Sequence, residues 1–457
     1  MVLFTFINAA MITSTQRYLN YELGRNTLSQ ASKVFSISLN IHILISLIVV
    51  LLAETVGLWL LNTTIQYPES RESAVQITYQ LSILITCIKI IRAPYNAAII
   101  AHEKMSFYAY LSIFEAILQL GVVYLLMVSK SDRLILYSVL LCLVAIIVNL
   151  CYYAYCRKKF EICLYKLYND KSLYRQLLSF SGWSLFGGVA NMGASQGLNM
   201  ILNIFFGVTI NAAMGIANQV NTAVSSFVSS FQTAFNPQIV KSYAAEDHNY
   251  FIKLILSTSK YSYILLFIIA LPIYICCPEV LDIWLTEVPE YTVSFCRLML
   301  IYALLDALQG PLWYSVQATG KIKTYQILMS LMILSNLPIA YACLKLGYSP
   351  SSVLVVRCII NITTLFVRLW YLNKLYKFPV IKFINNVICR IIPITAIAYL
   401  MIYIPIETTT PFFKIITIAA LTFVVNIALT ISIGLNKDER MVIGRNIKRL
   451  YEKYSRG

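Results

Sequence analysis

The sequence predicts an all-α, polytopic membrane protein: about 13 transmembrane helices in two pseudo-symmetric, parallel-repeat lobes. Three observations lead there. Only 12% of the 457 residues are charged while 59% are hydrophobic, about half the charge of an ordinary globular domain. Twelve apolar runs reach the length of roughly 20 residues that a helix needs to cross a bilayer. The loops between these runs alternate between basic and acidic. So little charge does not cover a water-facing surface of this size, which excludes a soluble enzyme, a secreted scaffold, a disordered chain and a DNA-binding protein. The 36 Lys and Arg against 20 Asp and Glu are therefore read as membrane topology before nucleic acid.

Taken in order, an apolar fragment spans 1–14. The run 34–62 is interrupted only by Glu54, 74–101 carries Lys89, Arg92 and Pro94, and 105–128 carries Glu115. The run 132–155 ends at the basic stretch 156–175. Runs 176–206 and 208–240 are dense in Asn, Gln and small residues; 250–277 follows. Asp306 lies in 291–318, then comes 321–345. Arg357 and Arg368 lie in 351–373 and Arg390 in 383–404; 411–434 precedes the basic tail 436–457. This divides the chain into an N-terminal lobe at 1–155, a linker at 156–175, a C-terminal lobe at 176–373, and two extra helices with the tail at 374–457. The eleven cysteines lie mostly within apolar runs without metal or disulfide spacing, and the three histidines are far apart. Cysteines such as Cys87, Cys142, Cys276, Cys277 and Cys358 read as small buried hydrophobes.

Charge orients the chain. Twenty-five basic residues, from Arg17 to the tail, fall in one set of alternate loops. The other set holds five (Arg71, Lys130, Arg133, Lys345 and Lys414) with eight acids, including Glu279, Asp282, Glu287, Glu290 and Glu407. Cytoplasmic loops collect Lys and Arg, so the linker and the C-terminus are expected in the cytoplasm. The fragment 1–14 then starts on the outer side, with no basic flank and no signal-peptide form. That arrangement leads to the expectation of one further transmembrane helix upstream, encoded by an open frame before Met1.

An internal repeat supports the two-lobe reading. PYNAAIIAHEKMSFYAYL from Pro94 matches PLWYSVQATGKIKTYQIL from Pro311 at Pro94/Pro311, Ala101/Ala318, Lys104/Lys321, Tyr108/Tyr325 and Leu111/Leu328, all offset by 217. Both copies run in the same sense, as parallel repeats do.

Charges inside spans are costly and face protein or water. Arg297, Arg357 and Arg390 lie near span ends, where snorkelling to the interface is expected; Arg368 is similar. Lys89 and Arg92 are mid-span. With Tyr79, Ser82, Thr86 and Asn96 they form a polar stripe at helical spacing. Two cations on such a stripe suit an anionic group such as a phosphate; the alternative is neutralisation by Glu54 or Glu115. Thr86, Lys89, Arg92, Asn96, Asn199 and Asn203 are therefore candidate substrate-binding residues. Glu54, Glu115, Asp306 and Arg17 are candidate gating or coupling residues, Asp306 being the repeat partner of Lys89. The amides around Asn199 either accommodate sugar hydroxyls or pack helices, with Gly193 and Gly197 as a GxxxG contact. The chain lacks a phosphate-binding GxxxxGK[ST] loop, so a proton or sodium gradient is the expected energy source, with no cofactor.

QRYLNYELG from Gln16, PYNAAIIAHEKM from Pro94, FSGWSLFGGVANM from Phe180, and FFGVTINAAMGIANQV from Phe205 through AFNPQIVKSYA from Ala234 resemble the Wzx-type polysaccharide repeat-unit flippases. These belong to the multidrug/oligosaccharidyl-lipid/polysaccharide (MOP) exporter superfamily. The likeness covers essentially the whole chain. It implies two lobes of 12 to 14 helices opening alternately to each side. It also implies transfer of an undecaprenyl-diphosphate-linked oligosaccharide from the cytoplasmic to the periplasmic leaflet of the bacterial inner membrane, for lipopolysaccharide or other surface polysaccharide biosynthesis. A cationic central cavity is implied too, to which Lys89 and Arg92 are assigned. Gln16 and Arg17 match the motif closing the second helix of the first lobe, and Asn236 and Pro237 close its partner. Membrane lipids and the polysaccharide polymerase machinery are the implied partners, and nucleic acid is not. Two other functions are alternatives: an exporter of drugs or small amphiphiles on the same fold, and a polytopic polymerase or glycosyltransferase, which usually shows a large outer loop. A green fluorescent reporter fused after Gly457 is expected to fluoresce and alkaline phosphatase fused there to stay inactive; the reverse pattern overturns the topology.

Overall fold

Each apolar run closes its own backbone hydrogen bonds as a helix, because a strand edge or loop in hydrocarbon leaves N–H and C=O groups unpaired. The computed structural model describes residues 2–63, 67–129, 132–403, 410–436 and 439–441, and among them there is no strand. Lys130, Glu407 and the tail cations Lys437, Arg445, Lys448, Arg449, Lys453 and Arg456 lie outside the described residues.

Helix α1 is Val2–Gly24. It does not stop at the polar residues that ended the predicted fragment at 14: Ser14, Thr15 and Asn20 are fully buried. Next come α2 (Leu28–Thr63), α3 (Glu72–Ala101), α4 (Met105–Val128) and α5 (Arg133–Lys159). A π-turn at Ala53–Gly57 widens α2 around Glu54, and the Ala53 carbonyl there accepts the Tyr79 hydroxyl at 2.7 Å. Helix α5 carries Arg157, Lys158 and Lys159 in its last turn, where cations meet the negative end of the helix dipole. Lys171–Ala244 is continuous in hydrogen bonding but holds two helices, α6 (171–206) and α7 (208–244), because Gly207 adopts φ 77°, ψ −163°.

Five longer helices follow: α8 (His248–Ile275), α9 (Thr292–Thr319), α10 (Lys323–Lys345), α11 (Ser352–Tyr376) and α12 (Val380–Tyr399), and α13 (Pro411–Gly434) comes last. Among the described residues eleven segments are long and apolar enough to cross a membrane, and the break at Gly207 divides one of them into two helices. Helix α9 breaks between Ala307 and Gly310, where Pro311 supplies no N–H and forces a new first turn.

The described residues pack as two units. Unit 1 is Met1–Val189, Pro237–Asp247 and Gln317–Gln326; unit 2 is Ala190–Asn236, His248–Val316 and Ile327–Gly457. In unit 1, Phe35, Leu39, Tyr95, Val148, Tyr152, Cys156 and Phe160 form the core. In unit 2, Leu198, Leu202, Met214, Phe295, Met299, Ala340 and Leu354 do. Cys142, Cys276, Cys277 and Cys358 are buried and free, whereas Cys389 is exposed. Exposed aliphatics such as Leu47, Leu51, Ile117 and Leu120 present the apolar surface a spanning helix needs.

The repeat has a conformational counterpart. Glu103 and Gly320, 217 residues apart, both adopt left-handed backbone, φ 58° and 74°, immediately before Lys104 and Lys321. Asn26 and Glu246 close α1 and α7 in the same conformation. At Asn26, Glu103 and Glu246 the amides that follow reach back to carbonyls of the last turn in the same two-bond pattern, the Schellman closure of a helix.

Gly207 sits in a backbone region that only glycine occupies at low cost. Gly207→Ala is expected to destabilise the protein by about 1–3 kcal/mol, read as a lower melting temperature in detergent; an unchanged melting temperature contradicts the assignment.

Candidate functional site

Three polar constellations lie within the two units. The first is the stripe on α3 in unit 1. Burying α3 against α2 and α5 aligns Thr86, Lys89, Arg92 and Asn96 as the spacing predicted. Ser82 and Thr86 turn their hydroxyls onto their own helix, donating to Thr78 and Ser82 carbonyls at 2.7 and 2.8 Å. Arg92 pairs with Glu115 at 3.1 Å, and its guanidinium lies 5.2 Å from the Tyr152 ring centre. For Arg92 the neutralisation alternative therefore holds. Glu54 instead accepts from Gln80 at 3.2 Å. Lys89 is exposed and has no ion pair among the described residues. The Asn96 carboxamide oxygen is buried without a hydrogen-bond partner among them.

The second constellation is a chamber of about 120 Å³ in unit 2, lined by residues of α6, α9, α10 and α11. Asp306 opens onto it, with Arg357 and Arg368 as its nearest cations. Arg357 lies 4.1 Å from the Tyr302 ring centre, and Arg368 donates to the Gln309 carbonyl at 2.7 Å. Gln309 in turn donates to the Asn361 carbonyl at 3.2 Å. Two buried carboxamide oxygens of the lining, Gln309 Oε1 and Asn336 Oδ1, have no partner among the described residues. Buried acceptors of this kind are costly unless a bound group or water satisfies them. The Gln309 carbonyl thus has two donors, Arg368 and the Trp313 amide at 3.0 Å.

The sequence puts Asp306 on one stripe with Tyr302 and Gln309, all three of which line the chamber, but does not bring the two arginines to it. A signal existed: Arg357, Asn361, Thr364 and Arg368 repeat at spacings of 4, 3 and 4 on α11, the same pattern that identified the α3 stripe. The snorkelling expectation is corrected. Arg357 and Arg368 line the chamber, Arg297 donates to the Tyr274 carbonyl at 3.1 Å, and Arg390 donates to those of Ile433 and Leu435 at 3.0 and 2.8 Å. Arg297, Arg368 and Arg390 are thus bound by backbone carbonyls, and Arg357 lies against the Tyr302 ring and the Met299 sulfur.

The amide residues of α6 divide. Asn203 is exposed, while Asn199 accepts no bond at its buried oxygen among the described residues and donates to Gln196 at 3.4 Å. Of the predicted GxxxG pair only Gly197 makes a close approach: a Cβ there meets the Leu337 side chain at 2.7 Å, whereas Gly193 faces open space.

The third constellation is in unit 1 and centres on Arg17. Its guanidinium donates to the Gln317 and Ala318 carbonyls at 3.1 and 3.0 Å and sits 4.5 and 4.8 Å from the Tyr18 and Tyr21 ring centres. Only 7% of the residue is exposed. The last turn of α9 is thereby held by α1. Gly320 permits this contact, since a Cβ there meets Arg17 Nη2 at 2.8 Å. Nearby, Lys241 donates to Glu103 at 2.6 Å and Gln238 to the same carboxylate at 3.2 Å. Burial pushes the Glu103 carboxyl up, but Lys241 and Gln238 outweigh it and hold the group below its ordinary value. The pair is therefore fully formed above the usual carboxylate range and dissolves as pH falls through that depressed value.

Arg17→Lys keeps the charge but gives up the two-carbonyl fork, and Gly320→Ala removes the space for it. Each is expected to cost about 1–3 kcal/mol, read as a fall in melting temperature. If the double variant loses as much as the two single losses added together, the residues do not share one contact.

No protein-family model matches the chain, and no curated protein matches it. Solved structures do. A MATE protein bound to MaL6 shares 14% identity at TM-score 0.72, covering 80% of this chain and 84% of that one. An outward-facing multidrug resistance MATE family transporter shares 12% at 0.71 with the same coverage. A MOP superfamily transporter from Pyrococcus furiosus, whose binding pocket has reversed polarity suggesting a different function, shares 13% at 0.70, again over 80% and 84%. At these identities the likeness is one of architecture: this chain has the all-α fold of the MATE transporters of the MOP superfamily.

Proposed function

We propose that this protein is a transporter, not an enzyme, and that it flips an undecaprenyl-diphosphate-linked oligosaccharide from the cytoplasmic to the periplasmic leaflet of a bacterial inner membrane by alternating access. The fold supports a membrane transporter, and it supports export of drugs or small amphiphiles equally well. What favours the anionic cargo is Lys89: an exposed cation midway along a 30-residue helix, without an ion pair among the described residues. An unpaired ammonium is costly in hydrocarbon and stable beside water or an anion. It repels a cationic drug and attracts a diphosphate. The unit 2 chamber adds two guanidiniums to one carboxylate, with amide oxygens free to accept from sugar hydroxyls.

Binding of the diphosphate head, rocking of the lobes and release of the glycan outside make the transport cycle, driven by a proton or sodium gradient. Glu54, Glu115, Asp306 and Arg17 are the residues we assign to gating or coupling.

In proteoliposomes, the protein is expected to move a short-chain polyprenyl-diphosphate oligosaccharide across the bilayer. Lys89→Glu is expected to reduce the rate at least tenfold and Lys89→Arg to preserve most of it. Efflux of a cationic dye at a rate indifferent to Lys89→Glu, with no movement of the lipid-linked sugar, favours the drug-exporter reading instead.

A further inference from the structure

Apart from the transport path, unit 2 contains a second basic cavity, of about 270 Å³, lined by the start of α8, the start of α12 and the residues just past α13. Lys253, Lys260 and Lys382 line it, with Asn249, Asn386 and Asn436. Among the described residues one carboxylate, Glu439, lines it, and it is already committed. It accepts from Lys260 Nζ at 2.6 Å and from the Asn436 amide at 2.7 Å. Lys260, 1% exposed, also donates to the Gly434 carbonyl at 3.0 Å. Lys253 and Lys382 are exposed to the cavity and have no ion pair among the described residues. Arg390 lies close enough to act on Lys260. Among the described residues, three lysines thus line the cavity with one acid, and that acid is already paired with Lys260.

The backbone adds to the same field. The first turns of α8 and α12, helices of 28 and 20 residues, both border the cavity, and helix N-termini carry partial positive charge and unpaired N–H groups. The Asn436 side-chain oxygen is buried with no partner among the described residues, an acceptor placed for a ligand hydroxyl or amine. Ile252 and Leu256 form part of the wall, and Ile381, 74% exposed, stands beside Lys382. Charge at one end and aliphatic surface next to it is the pattern that takes a phosphate carrying acyl chains. Basic pockets between helices at the lysine-rich end of membrane proteins bind phospholipid headgroups.

We infer that this cavity is a binding site for the phosphate headgroup of an anionic glycerolipid, separate from any cargo site. The phosphate oxygens accept from Lys253 and Lys382, and a headgroup hydroxyl donates to Asn436. Lys260 and Arg390 hold the wall in place by binding the carbonyls at the end of α13, so the lipid stabilises the packing of α12 and α13 on α8.

The test uses the purified full chain in detergent, with melting temperature and native mass spectrometry as readouts. Phosphatidylglycerol is expected to raise the melting temperature by several degrees, saturably, and to remain bound as a discrete adduct. Phosphatidylcholine and inorganic phosphate at equal concentration are expected to do neither. The Lys253→Gln/Lys382→Gln variant is expected to keep the lipid-free melting temperature and to need at least tenfold more phosphatidylglycerol. Equal stabilisation by phosphatidylcholine, or an unaltered response in the variant, overturns the site. Equal stabilisation by inorganic phosphate overturns the lipid assignment and leaves a free-phosphate site. These readouts do not involve transport, so they stand or fall apart from the proposed cargo.

Discussion

Every helix ends with carbonyls that no residue of that helix can satisfy, and in a bilayer no water replaces the missing donor. This protein meets that constraint with cations from neighbouring helices. Arg17 takes the carbonyls at the end of α9, Arg297 one at the end of α8, and Arg390 and Lys260 those at the end of α13. At the break in α9 the Ala307 carbonyl, which Pro311 cannot serve with an N–H, accepts the Gln232 side chain at 2.8 Å. Where the carbonyl has no other donor, as at Tyr274, two costs cancel in the contact: an orphaned acceptor and a desolvated charge, each expensive alone. The guanidinium suits this use because its planar fork reaches two carbonyls at once.

The same constraint explains what could be read from the sequence. A span must be apolar and long, so the number of helices follows from composition and run length, and the 217-residue offset marks paired turns. The left-handed residues Glu103 and Gly320 stand at corresponding positions although one is a glutamate, which no residue-type rule for turns predicts. Single helix ends are less legible. Glycine, asparagine and glutamate all close helices here, because the Schellman hydrogen bonds and not the residue type carry the closure. The end of the fragment at 14 was misplaced for a similar reason. Polar residues that normally mark a helix end are instead buried in α1 and bonded within the protein, as Ser14 is to the Leu177 carbonyl at 3.2 Å.

Pairings across long sequence separations were not legible. Arg92 had two possible acids within reach of a helical-wheel argument, and only packing selects Glu115 over Glu54. The arginines of α11 looked like interface residues because the distance to a span end can be counted, whereas the location of an orphaned carbonyl cannot. A one-dimensional reading of charge locates it along a helix but does not identify its partner, and in a membrane the partner determines whether the charge is structural or free.

That distinction gives the repeat its chemical content. At the paired positions 89 and 306 the sign is inverted, lysine in one copy and aspartate in the other, which suggests opposite electrostatics. The neighbours reverse that conclusion. In unit 1, Arg92 and Glu115 cancel and Lys89 leaves one positive charge. In unit 2, Arg357 and Arg368 outnumber Asp306, so the chamber is net positive with the carboxyl ionised and more so with it protonated, since a guanidinium does not lose its proton in a protein. Both copies therefore carry net positive charge around the matched position despite opposite residues there. The residue at a matched position thus does not by itself set the sign of the local field; the partners that packing brings to it do.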